Sequence, residues 1–448
     1  MMVLEIAIWG AWLPLIFGYL PSLGFTPGEQ AWILSAFPIA AIVGMFFSNQ
    51  FADRKFAAEK FLAFSHLVGG LAILACGFAH TFWPFFLLML LHCLLYVPTV
   101  SITNSIAFTH MKDAQREFGI VRMGGTVGWI LVAWPFTFIL VDWAKVAAAD
   151  PQGVAAWFDV VFKSGLTGEA LKSATKWTFV VSGVISLVLA AFSLTLPSTP
   201  PKKAKEGAPE SLAWLEALRL LRHPFVLILW LVTFVDSFVH NAYFNWTGTF
   251  LGAAPKDGGV GIAGNWIMPV MTIGQVAELA TMLVLGVTLK KLGWKKTMII
   301  GILGHAARFA VYALFPQSQA MIVAVQILHG ICYAFFFATV YIFVDAYFPK
   351  DVRASAQGLF NVMILGVGTL AANAICPWLI QVKFTAGGVT DFRGLFLLPC
   401  FVAIGAAVVL GLFFHPPAVE AEKADAAAAP HSTWVCLTTD HTDEPGSG

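Results

Sequence analysis

Between residues 5 and 414 the chain is a succession of apolar runs, each about as long as a bilayer is thick. A helix needs about 20 apolar residues to cross a hydrocarbon core of about 30 Å. Inside that core every backbone N–H and C=O must be bonded within the protein, which leaves helices or a closed barrel. Runs of this length predict an all-α membrane protein. Twelve helices are expected, the first six near 5–23, 30–52, 59–79, 82–109, 117–141 and 174–197. The second six are expected near 224–251, 262–289, 295–315, 319–348, 354–382 and 393–414. Charged residues make up 11% of the chain, against about 25% in soluble domains, so the bilayer is its solvent.

The even spacing in two sets of six suggests a duplicated unit. Residues 1–197 form an N-terminal six-helix bundle and 224–414 a C-terminal one. The Pro- and Lys-rich segment 198–223 links them, with a short surface helix expected at 212–221. The tail, 415–448, is rich in Ala, Asp and Pro and reads as disordered. Lys and Arg set the orientation. Sixteen fall in the connections after the even-numbered helices, from Arg54 to Arg353, and seven in the opposite loops, from Lys145 to Arg393. Both termini are therefore expected in the cytoplasm, in a multi-pass protein of a bacterial inner membrane. The net charge of +1 carries no basic arm, so no nucleic-acid partner is expected. The six Cys include no C-x-x-C pair, so no metal site is implied. No Walker loop, Gly-rich dinucleotide loop, G-x-S-x-G or H-E-x-x-H occurs, which argues against an enzyme and against a cofactor.

The informative residues are those that do not belong in lipid. Glu278 sits deep in the eighth run, three residues after Gln275, so the two share a helix face. A carboxylate near mid-membrane costs about 2.5–3.5 kcal/mol on insertion scales and faces a bundle interior or a water-filled cavity. Arg122, Thr126 and Trp129 form one stripe of the fifth helix, with a guanidinium and a hydroxyl as donors and an indole plane. The seventh helix carries Asp236, His240, Asn241, Tyr243, Asn245 and Thr247, too many polar groups for lipid contact. His305 and Arg308 follow on the ninth helix, and His329, Tyr333 and Tyr341 on the tenth. Spread singly over several helices, these residues suit a binding site assembled between two halves. Asp345 and Arg353 bracket a short turn and are expected to pair.

Two connections repeat. Asp53-Arg54-Lys55 follows the second helix, and Gly286-Val287-Thr288-Leu289-Lys290-Lys291-Leu292-Gly293-Trp294-Lys295-Lys296 follows the eighth. The second resembles the G-x-x-x-D-R-x-G-R-K signature of the major facilitator superfamily, with Lys290 in place of the acid. The first keeps Asp53-Arg54 but has Asn49 and Phe56 where Gly is usual. Further stretches are similar to the nucleoside:proton symporter family of that superfamily. They are Trp9-Gly10-Ala11-Trp12, Tyr96-Val97-Pro98-Thr99 with Asn104, Val121-Arg122 with Gly125-Thr126-Val127-Gly128, Gln275-Val276-Ala277-Glu278, Arg308-Phe309-Ala310 and Val352-Arg353-Ala354-Ser355-Ala356-Gln357-Gly358. The resemblance runs from about Ala7 to Phe414.

The resemblance implies a major facilitator fold of two six-helix bundles and an alternating-access carrier that takes up nucleosides with protons, as a monomer in the lipid bilayer. It carries substrate contacts to Arg122, Thr126, Trp129, Gln275 and Glu278, and on the seventh helix to one or two of His240, Asn241, Phe244 and Asn245, with His240 and Asn241 favoured. Tyr333 and Phe336 are the candidates to stack on a base or a sugar face. Asp53, Arg54, Asp345 and Arg353 would hold the cytoplasmic side. There is one departure: bacterial members place a carboxylate in the middle of the tenth helix, where this chain has Ala334. Proton coupling then falls to Glu278, with Asp236 as the second candidate. A sugar or oligosaccharide:proton symporter and a non-transporting sensor on the same fold are the alternatives.

Overall fold

The computed structural model describes residues 1–111, 114–200, 218–348 and 350–416; the side chains of 45–55, 114–120, 122 and 350–355 lie outside the described set, as do most of the linker and the tail beyond 416. The first half contains α1 (Met2–Ser22), α2 (Pro27–Lys55), α3 (Ala58–Cys76), α4 (Phe82–His110) and α5 (Ala114–Ala133). After Trp134-Pro135 a single turn, α6 (Phe136–Ile139), extends α5. The connection that follows was expected to be a loop, but it holds α7 (Trp143–Ala149) and α8 (Val154–Lys163) before α9 (Gly168–Ser193). The second half contains α10 (Pro224–Gly252), α11 (Gly264–Leu314), α12 (Gln319–Tyr347), α13 (Ala356–Lys383) and α14 (Phe392–Phe413). A hairpin of two-residue strands, Thr385–Ala386 and Val389–Thr390, joins the last two.

Nine helices among the described residues are long and apolar enough to span a membrane. One of them, α11, has 51 residues. At 1.5 Å per residue it would be more than twice as long as a hydrocarbon core of about 30 Å. It is not one rod. Gly293 has φ 71°, a left-handed conformation that glycine adopts without strain, and it turns the chain between two helical arms. The two helices expected near 262–289 and 295–315 are therefore present, joined by this corner. Elsewhere local chemistry sets the ends. Thr26 and Glu29 form a reciprocal capping box at the start of α2, with Pro27 at its first position (Thr26 N to Glu29 Oε2 2.8 Å, Glu29 N to Thr26 Oγ1 3.3 Å).

Bulky apolar side chains such as Phe64, Trp83, Leu283 and Phe401 point outward and are well exposed, as a lipid solvent permits. Inside each half, helices approach through small residues. A Cβ on Gly70 would lie 2.9 Å from Ser186 of α9, and one on Gly128 would strike the backbone of Val3 in α1. The two halves meet where α1 faces α10, α2 faces α13 and α5 faces α11. Gln30 and Gln381 exchange amide bonds of 2.6 and 3.2 Å. Asn373 donates to the Leu34 carbonyl at 2.8 Å, and Asn265 to the Thr137 carbonyl at 3.3 Å. Trp266 of α11 donates its indole N–H to the Phe162 carbonyl of α8 at 2.8 Å. These bonds lie on the side of the membrane reached by the connections 23–26, 134–167, 253–263 and 384–391, which the halves close together.

Candidate functional site

Helix α10 carries Asp236, His240, Asn241, Tyr243, Asn245 and Thr247, and its two faces serve different neighbours. Asn241 and Asn245 turn toward α13. Asn241 donates to Thr369 Oγ1 at 3.0 Å, and Asn245 to Asn373 Oδ1 at 3.1 Å. Asn373 in turn reaches Leu34 of α2, so these amides tie α10 through α13 to the first half. His240 and Phe244 turn the other way. The His240 ring stacks on His329 of α12 at 4.9 Å and lies 6.1 Å from Tyr333. Phe244 meets Trp129 of α5 across the interface, with ring centroids 6.3 Å apart. Trp129 is buried edge-on against Trp9, whose own ring stacks on Phe37 at 4.6 Å. Thr126, one turn before Trp129, is half-buried.

Gln275 and Glu278 reach the same region because α11 and α12 touch backbone to backbone. A Cβ on Gly274 would lie 2.8 Å from His329, and one on Gly330 would strike the backbone nitrogen of Glu278. The side-chain oxygen of Gln275 is buried with no hydrogen-bond partner among the described residues. A buried amide oxygen left in that condition costs free energy, so a ligand atom that donates to it is favoured. Tyr333 opens a π-helical segment, Tyr333–Ala338, whose wider turn redirects the side chains of α12. The structure thus links Trp129, His240 and Tyr333 through Phe244 and His329, sets the backbone of α11 at Gly274 and Glu278 against α12 beside His329, and engages Asn241 with α13.

Arg122 lies on α5, but its side chain is outside the described residues, as are those of Asp53, Arg54 and Arg353. Asp345 is exposed near the end of α12.

Behind His240 is a buried charged cluster. Arg308 places Nη1 2.9 Å from His329 Nδ1 and Nη2 3.0 Å from His305 Nδ1. Its guanidinium lies 4.1 Å over the Tyr243 ring, a cation–π contact. His305 Nε2 faces Asp236 Oδ2 at 3.6 Å. Tyr243 donates to Gln326, and Gln326 donates to Tyr312. The sequence shows these residues as isolated polar positions on three helices; the fold makes them one group.

The sequence reading missed a second cluster altogether. In the first half, Glu5 of α1 is buried against His66 of α3 at 2.9 Å, and Thr99 of α4 donates to its other oxygen at 2.7 Å. Tyr96 bonds the Glu5 carbonyl at 2.8 Å, and Ser186 sits 3.0 Å from His66 Nδ1. Two signals pointed to it: an acid within an apolar run, and His on two neighbouring runs.

An all-helical membrane chain of two bundles, with polar residues converging between them, is a secondary carrier of the major facilitator fold. The chain belongs to the nucleoside H+ symporter family, whose model matches residues 1–162 and 152–419. It is a family of transporters, not of enzymes. The chain is 29% identical to YegT of Escherichia coli strain K12 over 424 residues, covering 93% of this chain and 92% of that one. It is 25% identical over 429 residues to the nucleoside permease NupG of the same strain, with 92% of each chain covered. The crystal structure of the nucleoside transporter NupG superposes with a TM-score of 0.76 at 21% identity, covering 93% of this chain and 98% of that one, which supports the fold.

Proposed function

We propose that the protein imports nucleosides across a bacterial inner membrane by alternating access, together with protons. It acts as a monomer of twelve spans with both termini in the cytoplasm. The observation that carries this reading, beyond family membership, is the buried and unpartnered Gln275 oxygen, one residue from the place where α11 packs on His329 of α12. A nucleoside offers what such a site selects: hydroxyls that donate to Gln275 and Glu278, and a flat base for Trp129 or Tyr333 to face. Arg122, Thr126, His240 and Asn241 complete the proposed contacts, and Glu278 and Asp236 are the candidates for the proton. Asp53, Arg54, Asp345 and Arg353 hold the cytoplasmic ends of the helices.

Uptake of labelled uridine and of a labelled disaccharide into proteoliposomes tests the reading. Uridine is expected to accumulate when the outside is made acidic, and Gln275→Leu to lose most of that uptake while remaining folded. Accumulation of the disaccharide alone would replace the nucleoside reading with the sugar one.

A further inference from the structure

The cluster behind His240 has a logic that follows from which atoms can donate. Arginine offers only donors. Arg308 bonds Nδ1 of both His305 and His329, so both atoms must accept. The bond network therefore assigns each neutral ring its proton on Nε2. Neither ring can take a second proton without losing its bond to a buried guanidinium. Asp236 is different. Both its oxygens are buried with no hydrogen-bond partner among the described residues. The nearest ring nitrogen, Nε2 of His305, is 3.6 Å away, just beyond hydrogen-bond reach. Buried carboxylates ordinarily have their lone pairs satisfied. This one has no bond to break when a proton arrives.

We propose that Asp236 carries the coupled proton, and that Arg308 is a positioning residue that keeps His305 and His329 neutral. The proposal rests on the proton-coupled reading above and deepens it, because it separates the proton from Glu278, which is left to the substrate. In the deprotonated state the Asp236 carboxylate balances the charge of Arg308 through the intervening His305 ring. On loading, a proton from water bonds to an Asp236 oxygen. On release that O–H bond breaks and the proton leaves to the other side. His240, one turn along α10 and partly exposed, lines the way in. The groups facing Asp236 are His305 and Arg308 from α11 and Cys332 from α12, with the ring of His240, one turn further on its own helix, 5.6 Å from that of His305.

Uridine accumulation in proteoliposomes, with and without an imposed pH gradient, tests this. With a gradient of about one pH unit and one proton per substrate, the parent is expected to concentrate uridine by up to about tenfold. Asp236→Asn is expected to show no gradient-driven accumulation while still exchanging uridine for uridine. Glu5→Gln, in the other half, is expected to keep the driven accumulation. A responsive parent with an equally responsive Asp236→Asn overturns the proposal alone. A parent that ignores the gradient overturns the coupled reading and the proposal with it. A measurement on the native sequence covers the case in which the variant does not fold. Infrared difference spectra between acid and neutral pH are recorded on protein carrying carbon-13 in the side-chain carboxyl of aspartate or of glutamate. The band of the buried protonated carboxyl is expected to shift with labelled aspartate. A shift with labelled glutamate only would move the proton to a glutamate, Glu278 or Glu5, and overturn the proposal.

Discussion

The two halves carry the same device in two conditions. In the first, Glu5 of α1 faces His66 of α3 beside the stacked pair His92 and Tyr96 of α4. In the second, Asp236 of α10 faces His305 of α11 beside His329 and Tyr333 of α12. The sequence repeats with it: Leu91-His92-Cys93-Leu94-Leu95-Tyr96 answers Leu328-His329-Gly330-Ile331-Cys332-Tyr333. Aromatic neighbours correspond too, Trp12 against His92 and Tyr243 against His329. The bonding does not. Both Glu5 oxygens and both His66 nitrogens have hydrogen-bond partners, whereas both Asp236 oxygens and His305 Nε2 have none among the described residues. Two exchanges account for the difference. Thr99, which donates to Glu5, has Phe336 at the corresponding place on α12. Gly69, whose carbonyl lies 3.0 Å from His92 Nδ1, has Arg308 at the corresponding place on α11. A carbonyl requires a protonated Nδ1 and a guanidinium requires a bare one, so the same histidine is held in opposite tautomers. A duplicated acid–histidine pair has been locked in one half and left loose, beside a fixed positive charge, in the other.

The largest test of that contrast is Arg308→Leu. Removing one partner of a buried charged group typically costs about 3–5 kcal/mol, because the charge left behind is uncompensated. A fall in thermal stability of that size is expected in detergent, with loss of gradient-driven uptake. The double variant Arg308→Leu with Asp236→Asn removes both charges and is expected to recover much of the stability. A double variant no better than the single one would mean that Arg308 acts through packing on Tyr243 rather than through charge.

The contrast between the halves was only partly legible in the sequence. Long apolar runs fix helices because lipid leaves the backbone no other choice, so the all-helical fold followed directly. His305, Arg308 and His329 stood out because polar residues are costly in lipid. Which of them meet was hidden, since a contact such as Arg308 with His329 depends on how α11 packs on α12. Glu5 escaped notice because the first helix was expected to begin at residue 5, where an acid looks like an end residue, whereas it begins at Met2. The corner at Gly293 was read as part of a basic connection, since sequence does not reveal the left-handed turn that merges two expected helices. Asn241 stood out from its place in a polar stripe, but the bond of its amide nitrogen to Thr369 on α13 was not legible there.

A smaller effect is expected where α11 crosses α12. Gly330 lets α12 touch the backbone at Glu278, and its counterpart in α4 is the larger Cys93. Gly330→Ala places a methyl group against that backbone. Overpacking of this kind costs about 1–3 kcal/mol. Uridine uptake is expected to fall because Glu278 is displaced, while Cys93→Ala in the first half leaves uptake near the parent value. Equal losses from both would show that the two halves are equally sensitive to packing, and that the site is not confined to the second.

The smallest and most pointed test makes the locked half resemble the loose one. Thr99→Val keeps shape but removes the hydroxyl that donates to Glu5 Oε1 at 2.7 Å. Loss of one such bond costs about 0.5–1.5 kcal/mol. Glu5 then has one oxygen without its donor, part of the way to the condition of Asp236, but it keeps His66 at 2.9 Å and has no arginine opposite. If the fixed charge of Arg308 is what singles out the second half, loosening Glu5 should cost stability and nothing else. The expected outcome is a slightly lower thermal midpoint with the same uridine accumulation at a given pH gradient. A change in accumulation would show that Glu5 also exchanges protons during the cycle, and the two halves would then differ in degree rather than in kind.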